Sequence, residues 1–271
     1  MVLHCPECNN YLREKIIDYE RLFLMEQLDP LGDGISLLSL VRIAGSDLDI
    51  VNAARVSYGK ESEQFSTRDE KLIHYLLSHG HTSPFEHSHL VFQVKLPIFI
   101  ARQWMRHRVG VSYNEVSGRY TQIPLEFYIP KKWRVSDKKN RQGSIEKNVN
   151  DEYVLFTAYR NVLDLCGQTY QQLLQAGIAK ELARGLLPLC TYTQFIFTCN
   201  LVSLFHFIKL RYDYHAQWEI QRYAKGMLEL AQIHFPISVE VWCKLHGYTV
   251  ENRAIQKKAK IFRKQQLESA L

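Results

Sequence analysis

Long apolar runs are missing from this chain. The most extended, Leu96–Ala101 and Phe195–Cys199, stop far short of the ~20 residues that a membrane span needs, so no bilayer crossing is expected. The N-terminus, MVLHCPECNNYLREK, has neither the basic start nor the apolar stretch of a secretory signal, and a cytoplasmic location is expected. There is no GxGxxG, which removes support for a Rossmann-type nucleotide site. No repeat recurs at a fixed period, and the 13 glycines and 8 prolines are scattered rather than gathered into a linker. Solenoids and arrays are excluded on that ground, and one main domain is favoured. Cysteine is sparse and irregular. Cys166, Cys190, Cys199 and Cys243 lie in apolar segments, where a free thiol behaves as a small hydrophobe. Cys5 and Cys8 form one CxxC beside His4, but structural zinc normally takes four ligands and a second knuckle is lacking.

What is present is enough to build a large core: 46% of the 271 residues are hydrophobic. The net charge of +6 is distributed unevenly. Residues 131–148 carry seven basic and two acidic side chains, and residues 251–271 carry six and two. Those segments together hold +9, so the rest of the chain is net acidic at −3. The basicity is peripheral, which reads as solvated surface and argues against a nucleic-acid partner. The expected division is an N-terminal extension (1–35), a main domain (36–247) and a basic C-terminal tail (248–271).

Helical periodicity dominates. Ser46 or Asp47 caps a helix through LDIVNAARVS, and Thr67 with Glu70 reads as a capping box opening EKLIHYLLSHG, with Gly80 closing it. His89–Lys95 alternates like a strand, with Leu90, Phe92 and Val94 on one face. Pro97 suits the first turn of a helix through IFIARQWMRHR, whose apolar arc holds Ile98, Ala101, Trp104 and Met105. Arg108 would return to that arc, so either the helix ends before it or a buried anion draws it inward. Asp151 or Asn150 caps a long amphipathic helix ending near Gly177, and a short helix, AKELARGLL, stops at Pro188. Residues 191–198 read as a strand, Asn200 caps LVSLFHFIKLRYD, and a last long helix runs from about Ala216 to His234 before Pro236.

The chemistry concentrates between Arg106 and Tyr120, RHRVGVSYNEVSGRY. Three basic side chains at a helix C-terminus could simply answer the helix dipole. The following Ser117–Gly118–Arg119 favours function instead. A hydroxyl, a bidentate guanidinium and backbone N–H groups that a side-chain-free glycine leaves approachable all suit a phosphate. Asn114 and Glu115 supply acceptors for sugar hydroxyls or base edges. No Ser-His-Asp order supports Ser117 as a nucleophile, so it is read as a binding residue.

RHR followed by SYNEVSGRY resembles the signature of the flavin-dependent thymidylate synthases, which methylate dUMP without an enzyme cysteine nucleophile. AARVS (53–57), HGHTSPFEH (79–87), FIARQWMRHR, ELARGLLP around Arg184 and LRYDYHAQWEIQ (210–221) agree in order and spacing. The likeness covers about Val41 to Tyr223. It implies an α+β fold, a mixed β-sheet flanked by long helices, with FAD as redox carrier, NADPH as reductant and methylenetetrahydrofolate as carbon donor. It also implies a homotetramer whose active sites draw on several subunits. Carried over position by position, His81, Ser83, Arg106, His107, Arg108, Glu115, Asn200 and His206 would lie against FAD. Gln103, Arg106, Glu115, Val116, Ser117, Gly118, Arg119, Arg184 and Arg211 would hold dUMP, with Arg211 the catalytic residue that favours ionisation of the pyrimidine. No metal is implied.

The chain departs from the family pattern twice. Eight residues, not seven, separate RHR from Ser117, and Val202 stands where a flavin-contacting arginine is common. Two rival readings remain. His79, His81, His87 and His89, with Glu86, could form the metal centre of a hydrolase, and Arg106, Arg108, Tyr113 and Tyr120 could serve a nucleic-acid-binding module. The readings part on one measurement. A visible flavin absorption band in the purified protein is expected; stoichiometric zinc or iron without flavin would sink the synthase reading.

Overall fold

The computed structural model describes residues 27–147 and 149–250. Its centre is a five-stranded sheet in the order β1-β2-β3-β7-β4, made of β1 (Gln27–Leu28), β2 (Leu37–Ala44), β3 (His89–Pro97), β7 (Tyr192–Asn200) and β4 (Val111–Glu115). Its pairings are all antiparallel, where a mixed sheet was expected. The α+β class stands. Among the described residues no helix connects two parallel neighbours, which is what a mixed sheet would need.

Alternation places the core. Leu90, Phe92, Val94 and Leu96 of β3, with Phe195, Phe197 and Cys199 of β7, face one side and are buried. Helices cover that side: α4 (Ile98–Trp104), α7 (Leu201–Arg211) and α8 (Trp218–His234). Trp104 sits fully buried among them, 4.6 Å between ring centroids from Phe207 and 5.5–5.9 Å from Phe195, Phe197 and Tyr223. Edge-to-face aromatic pairs of this kind add about 0.5–1.5 kcal/mol each beyond their burial.

Two helices begin directly from strands. Pro97 ends β3 and is the N-cap of α4, and Asn200 ends β7 and caps α7, its Oδ1 accepting from Ser203 N at 2.8 Å. Without a loop, each helix direction is set by the sheet.

The other helices flank this unit. They are α1 (Asp47–Arg55), α2 (Thr67–Ser78), α3 (Ser83–Glu86), α5 (Glu152–Gln175), α6 (Lys180–Ala183) and α9 (Pro236–His246). Ser46 caps α1 and Gly177 closes α5 with a positive φ, as the sequence implied. Asp151 precedes α5 but makes no side-chain cap bond. The capping box of α2 is Ser66 with Asp69, one residue before the expected Thr67 and Glu70. Asp69 wins because its carboxylate also meets Arg55 of α1. Helix α4 ends at Trp104, so Arg108 lies beyond it and no buried anion is needed to explain its place.

Helix α9 was missed. Pro236 reads as a stop, yet it occupies the first turn of a further helix. The acceptor for that turn comes from α1: the buried Asp47 carboxylate accepts from Ile237 N at 2.8 Å, Ser238 N at 3.0 Å and Ser238 Oγ at 2.6 Å. Both ends of the described chain pack on this frame. Leu31 joins the core, and Tyr248 stacks on Trp242 and Tyr212. Residues 131–147 fold as a hairpin of β5 (Arg134–Ser136) and β6 (Ser144–Glu146). Cys5, Cys8 and the tail beyond residue 250 lie outside the described residues.

Asp47→Ala should lower unfolding stability by about 3 kcal/mol, because buried donors lose their charged acceptor. Urea unfolding measures this, and a loss under about 1 kcal/mol would contradict the role given to Asp47 in starting α9.

Candidate active site

The C-terminal ends of α4 and α7 meet. Arg211, the last residue of α7, donates from Nε to His107 Nε2 at 2.9 Å and from Nη2 to the Gln103 carbonyl at 3.2 Å. A guanidinium at two helix C-termini answers two exposed rows of carbonyls and is favoured by both dipoles. Burial lowers the Arg211 pKa, yet an arginine remains cationic through the physiological range.

His107 must be neutral at Nε2 to accept that bond, which puts its proton on Nδ1. Its pKa falls to about 4, first through burial and then through Arg211 and His206. The backbone beneath it is fixed as well. His107 N donates to the Trp104 carbonyl at 3.0 Å, and the Tyr113 hydroxyl donates to the carbonyls of His107 at 2.7 Å and Trp104 at 3.2 Å. Thus β4 and the aromatic core together hold the RHR turn.

Arg106, His107, Arg108, Val109, His206 and Arg211 line a cleft of about 280 Å³ together with Ser203. Gly110 takes φ +66° in a turn, and β4 then pairs with β7 from Val111 to Glu115 without a register shift. A Cβ at Gly110 would lie 2.4 Å from Ser203 Oγ, so glycine is required by space as well as by φ. Ser203 Oγ donates to the Val109 carbonyl at 2.9 Å, and Asn200 sits on the same turn.

The second half of the segment lies at the other end of β4, about 14 Å away for four strand steps. Glu115 accepts from Thr193 Oγ1 at 2.6 Å, and Asn114, Glu115 and Val116 line a hollow of about 370 Å³ with Lys95 and Glu126. Ser117–Gly118–Arg119 forms a turn against Arg184. A Cβ on Gly118 would come within 3.0 Å of Arg184 Cδ, so the close approach needs glycine. Arg119 is exposed, and its contact with Glu181 at 3.7 Å is between two exposed groups and weak. Arg119 and Arg184 remain available to an anion.

His81 and Ser83 join neither group. His81 is exposed, with its ring 5.7 Å from that of Tyr75, and Ser83 opens α3, which packs on α1 and α7. Gln103 turns its side chain to Gln217 Oε1. Val202 packs against the core and brings no cation to the cleft. The sequence reading missed Ser203, Tyr113 as an anchor, Gln217 and Lys95. Only Ser203 left a trace in the sequence, three residues after the expected cap Asn200. His79, His81, His87 and His89 do not converge: among the described residues no group of three or more histidine, cysteine, aspartate or glutamate side chains can hold a metal. The hydrolase reading therefore has no site.

An α+β scaffold that holds one oriented arginine at a cleft and an anion-ready glycine turn beyond it defines an enzyme acting on phosphorylated small molecules. The family model described as thymidylate synthase complementing protein matches residues 39–237. A flavin-dependent thymidylate synthase of Kosmotoga olearia is 44% identical over 208 residues, 76% of this chain and 89% of its own. One from Wolbachia pipientis is 39% identical over 252 residues, 92% of this chain and 86% of its own. Among solved structures, a UMP/dUMP methylase, PolB from Streptomyces cacaoi bound with 5-Br UMP, superposes with a TM-score of 0.70 at 33% identity, covering 78% of this chain and 95% of that one. This chain belongs to the flavin-dependent thymidylate synthases.

The His107 pKa has a stability consequence. Because its folded value, about 4, lies below the ordinary 6.5, the unfolded chain binds the proton more readily. The stability it contributes is complete above pH ~6.5 and is lost as pH falls toward ~4, at most about 3 kcal/mol in all. His107→Gln, whose amide oxygen accepts from Arg211 without titrating, should flatten that part of the profile in urea unfolding at pH 7 and 5. Parallel profiles for parent and variant would remove the assignment.

Proposed function

We propose that this enzyme converts dUMP to dTMP by reductive methylation, with methylenetetrahydrofolate as carbon donor and NADPH as reductant, as a cytoplasmic homotetramer. The observation that carries the reading is the Arg211 guanidinium, fixed by His107 and the Gln103 carbonyl at the wall of a cationic cleft. Residues 36–247 form the synthase domain in this reading, with 27–35 and 248–250 packed onto it.

The residues present fit FAD. Its pyrophosphate suits Arg106 and Arg108, and its flat ring suits a cleft that also has Val111, Phe207 and a neutral imidazole in its wall. His206 lines the same cleft and Asn200 adjoins its Gly110 turn, whereas Glu115, His81 and Ser83 lie outside it and would reach the flavin only from another copy. FAD supplies the hydride chemistry that no side chain can provide. In this reading one protomer contributes part of the pocket, and a second copy the rest. The exposed apolar strip on α5, with Tyr153 81% and Leu165 63% exposed, supports association. So does the spacing of the half-sites, since the phosphate turn of one copy can face Arg211 of another.

Ser117, Gly118, Arg119 and Arg184 clamp the dUMP phosphate, while Gln103, Arg106, Glu115 and Val116 position the nucleoside. Arg211 stabilises negative charge that develops on the pyrimidine, at no cost of reorientation because it is already held. A thiol route finds no support among the described residues. Cys190, Cys199 and Cys243 are buried, none of the four described cysteines lines either hollow, and burial pushes Cys243 up to about 12.

Arg211→Ala should abolish dUMP methylation while flavin stays bound, read by product assay and visible absorption; sustained turnover would strip it of the catalytic role. Arg119→Ala should weaken dUMP binding roughly 10- to 100-fold, as loss of a charged hydrogen-bond donor implies. Calorimetry of dUMP binding decides it, and an unchanged affinity would contradict the clamp.

A further inference from the structure

The β5–β6 hairpin has no part in the site described above. Most of its cations near the base are engaged: Lys131 donates to the Gly32 carbonyl, Lys132 lies 3.8 Å from Glu146, and Arg134 pairs with the buried Glu219 over the Trp218 ring. At the tip, Lys138, Lys139 and Arg141 are exposed, and among the described residues their side chains have no hydrogen-bond or ion-pair partner. Three like charges within four residues repel, so a loop that keeps them together must be held.

It is held from inside. Asn140 is buried, its Nδ2 donates to the Tyr214 carbonyl at 3.3 Å, and its Oδ1 accepts from Gln142 N at 3.3 Å. A Cβ at Gly143 would lie 2.5 Å from Asn140 Nδ2, so the turn is shaped around that amide. The Asp137 carboxylate accepts from Lys139 N at 2.8 Å and from the Tyr214 hydroxyl at 3.0 Å. A loop serving only solubility gains nothing from the entropy lost in fixing one shape. Tyr214, the anchor, is 66% exposed and lies three residues after Arg211, a backbone span of at most about 11 Å. The loop is therefore tied to a residue close in the chain to the reaction cleft.

We propose that Lys138, Lys139, Arg141 and the Tyr214 ring form the docking point for the adenosine-phosphate end of the reducing pyridine dinucleotide phosphate. The inference rests on the synthase reading. Two ammonium groups and a guanidinium suit a sugar phosphate and a pyrophosphate, and adenine stacks on an exposed aromatic face. The nicotinamide end is then directed toward the Arg211 cleft.

The test uses the full chain with its flavin. The Lys138→Ser/Lys139→Ser/Arg141→Ser variant is compared with the parent in anaerobic flavin reduction by NADPH and by NADH with dUMP present. The KM for NADPH should rise about tenfold or more, while flavin content, dUMP affinity and the limiting reduction rate hold. The parent's preference for NADPH over NADH should shrink, and the rise of its NADPH KM with salt should flatten. Arginine at all three positions should restore the parent behaviour. An unchanged NADPH KM overturns the proposal and leaves the cations to some other anion, nucleic acid included. Loss of flavin or of dUMP affinity overturns it too, by assigning the tip to those molecules. A parent chain that holds no flavin and oxidises no NADPH overturns the synthase reading itself, a result visible before any substitution.

Discussion

The RHR half of the candidate site is hung on Trp104. Its indole is enclosed by rings from β7, α7 and α8, and its carbonyl accepts from both His107 and Tyr113. One side chain therefore fixes where α4 ends, and one backbone oxygen fixes the turn that follows. A packed aromatic core adjusts little, because filling and geometry are both specified. That rigidity passes to a histidine and an arginine whose usefulness depends on not moving.

The same arrangement explains how charge is tolerated. Arg211 loses part of its solvation, and the Gln103 carbonyl near the end of α4 and a neutral imidazole replace it. His107 stays unprotonated first because it is buried and then because a second cation beside Arg211 would be unfavourable. The Ser117–Gly118–Arg119 turn is kept apart at the far end of β4, where Gly118 admits Arg184 and leaves two guanidinium groups open to solvent. Within one chain the two halves do not close on each other. Their separation is what the proposed assembly would bridge, by setting the turn of one copy against Arg211 of another.

Much of the fold could be read from sequence where a local rule decides it. Alternation marked β3 and β7, Asn200 and Ser46 were recognisable as caps, and Gly177 as a helix end. The misses share a different cause. Helix α9 begins at a proline with its acceptor supplied by Asp47 of α1, about 190 residues earlier. The α2 capping box shifted by one because Asp69 also meets Arg55. Val111–Glu115 was not among the expected strands, because β4 is a strand only through its pairing with β7. Lys95 carries no site pattern of its own and became visible when the chain brought it to the hollow it lines.

By itself, then, the sequence determined the family, the α+β class, the segment that carries the chemistry and the excess residue between RHR and Ser117, because motif order and short-range periodicity are local properties. The tertiary structure alone decided that Gly110 makes a positive-φ turn after RHR and that β4 then pairs with β7 without a bulge. It decided also that His107 is a neutral partner of Arg211, and that the RHR and SGR halves stand at opposite ends of one strand. Those outcomes depend on burial, on strand register and on two helix ends meeting across the core, and residues distant in the chain set all three.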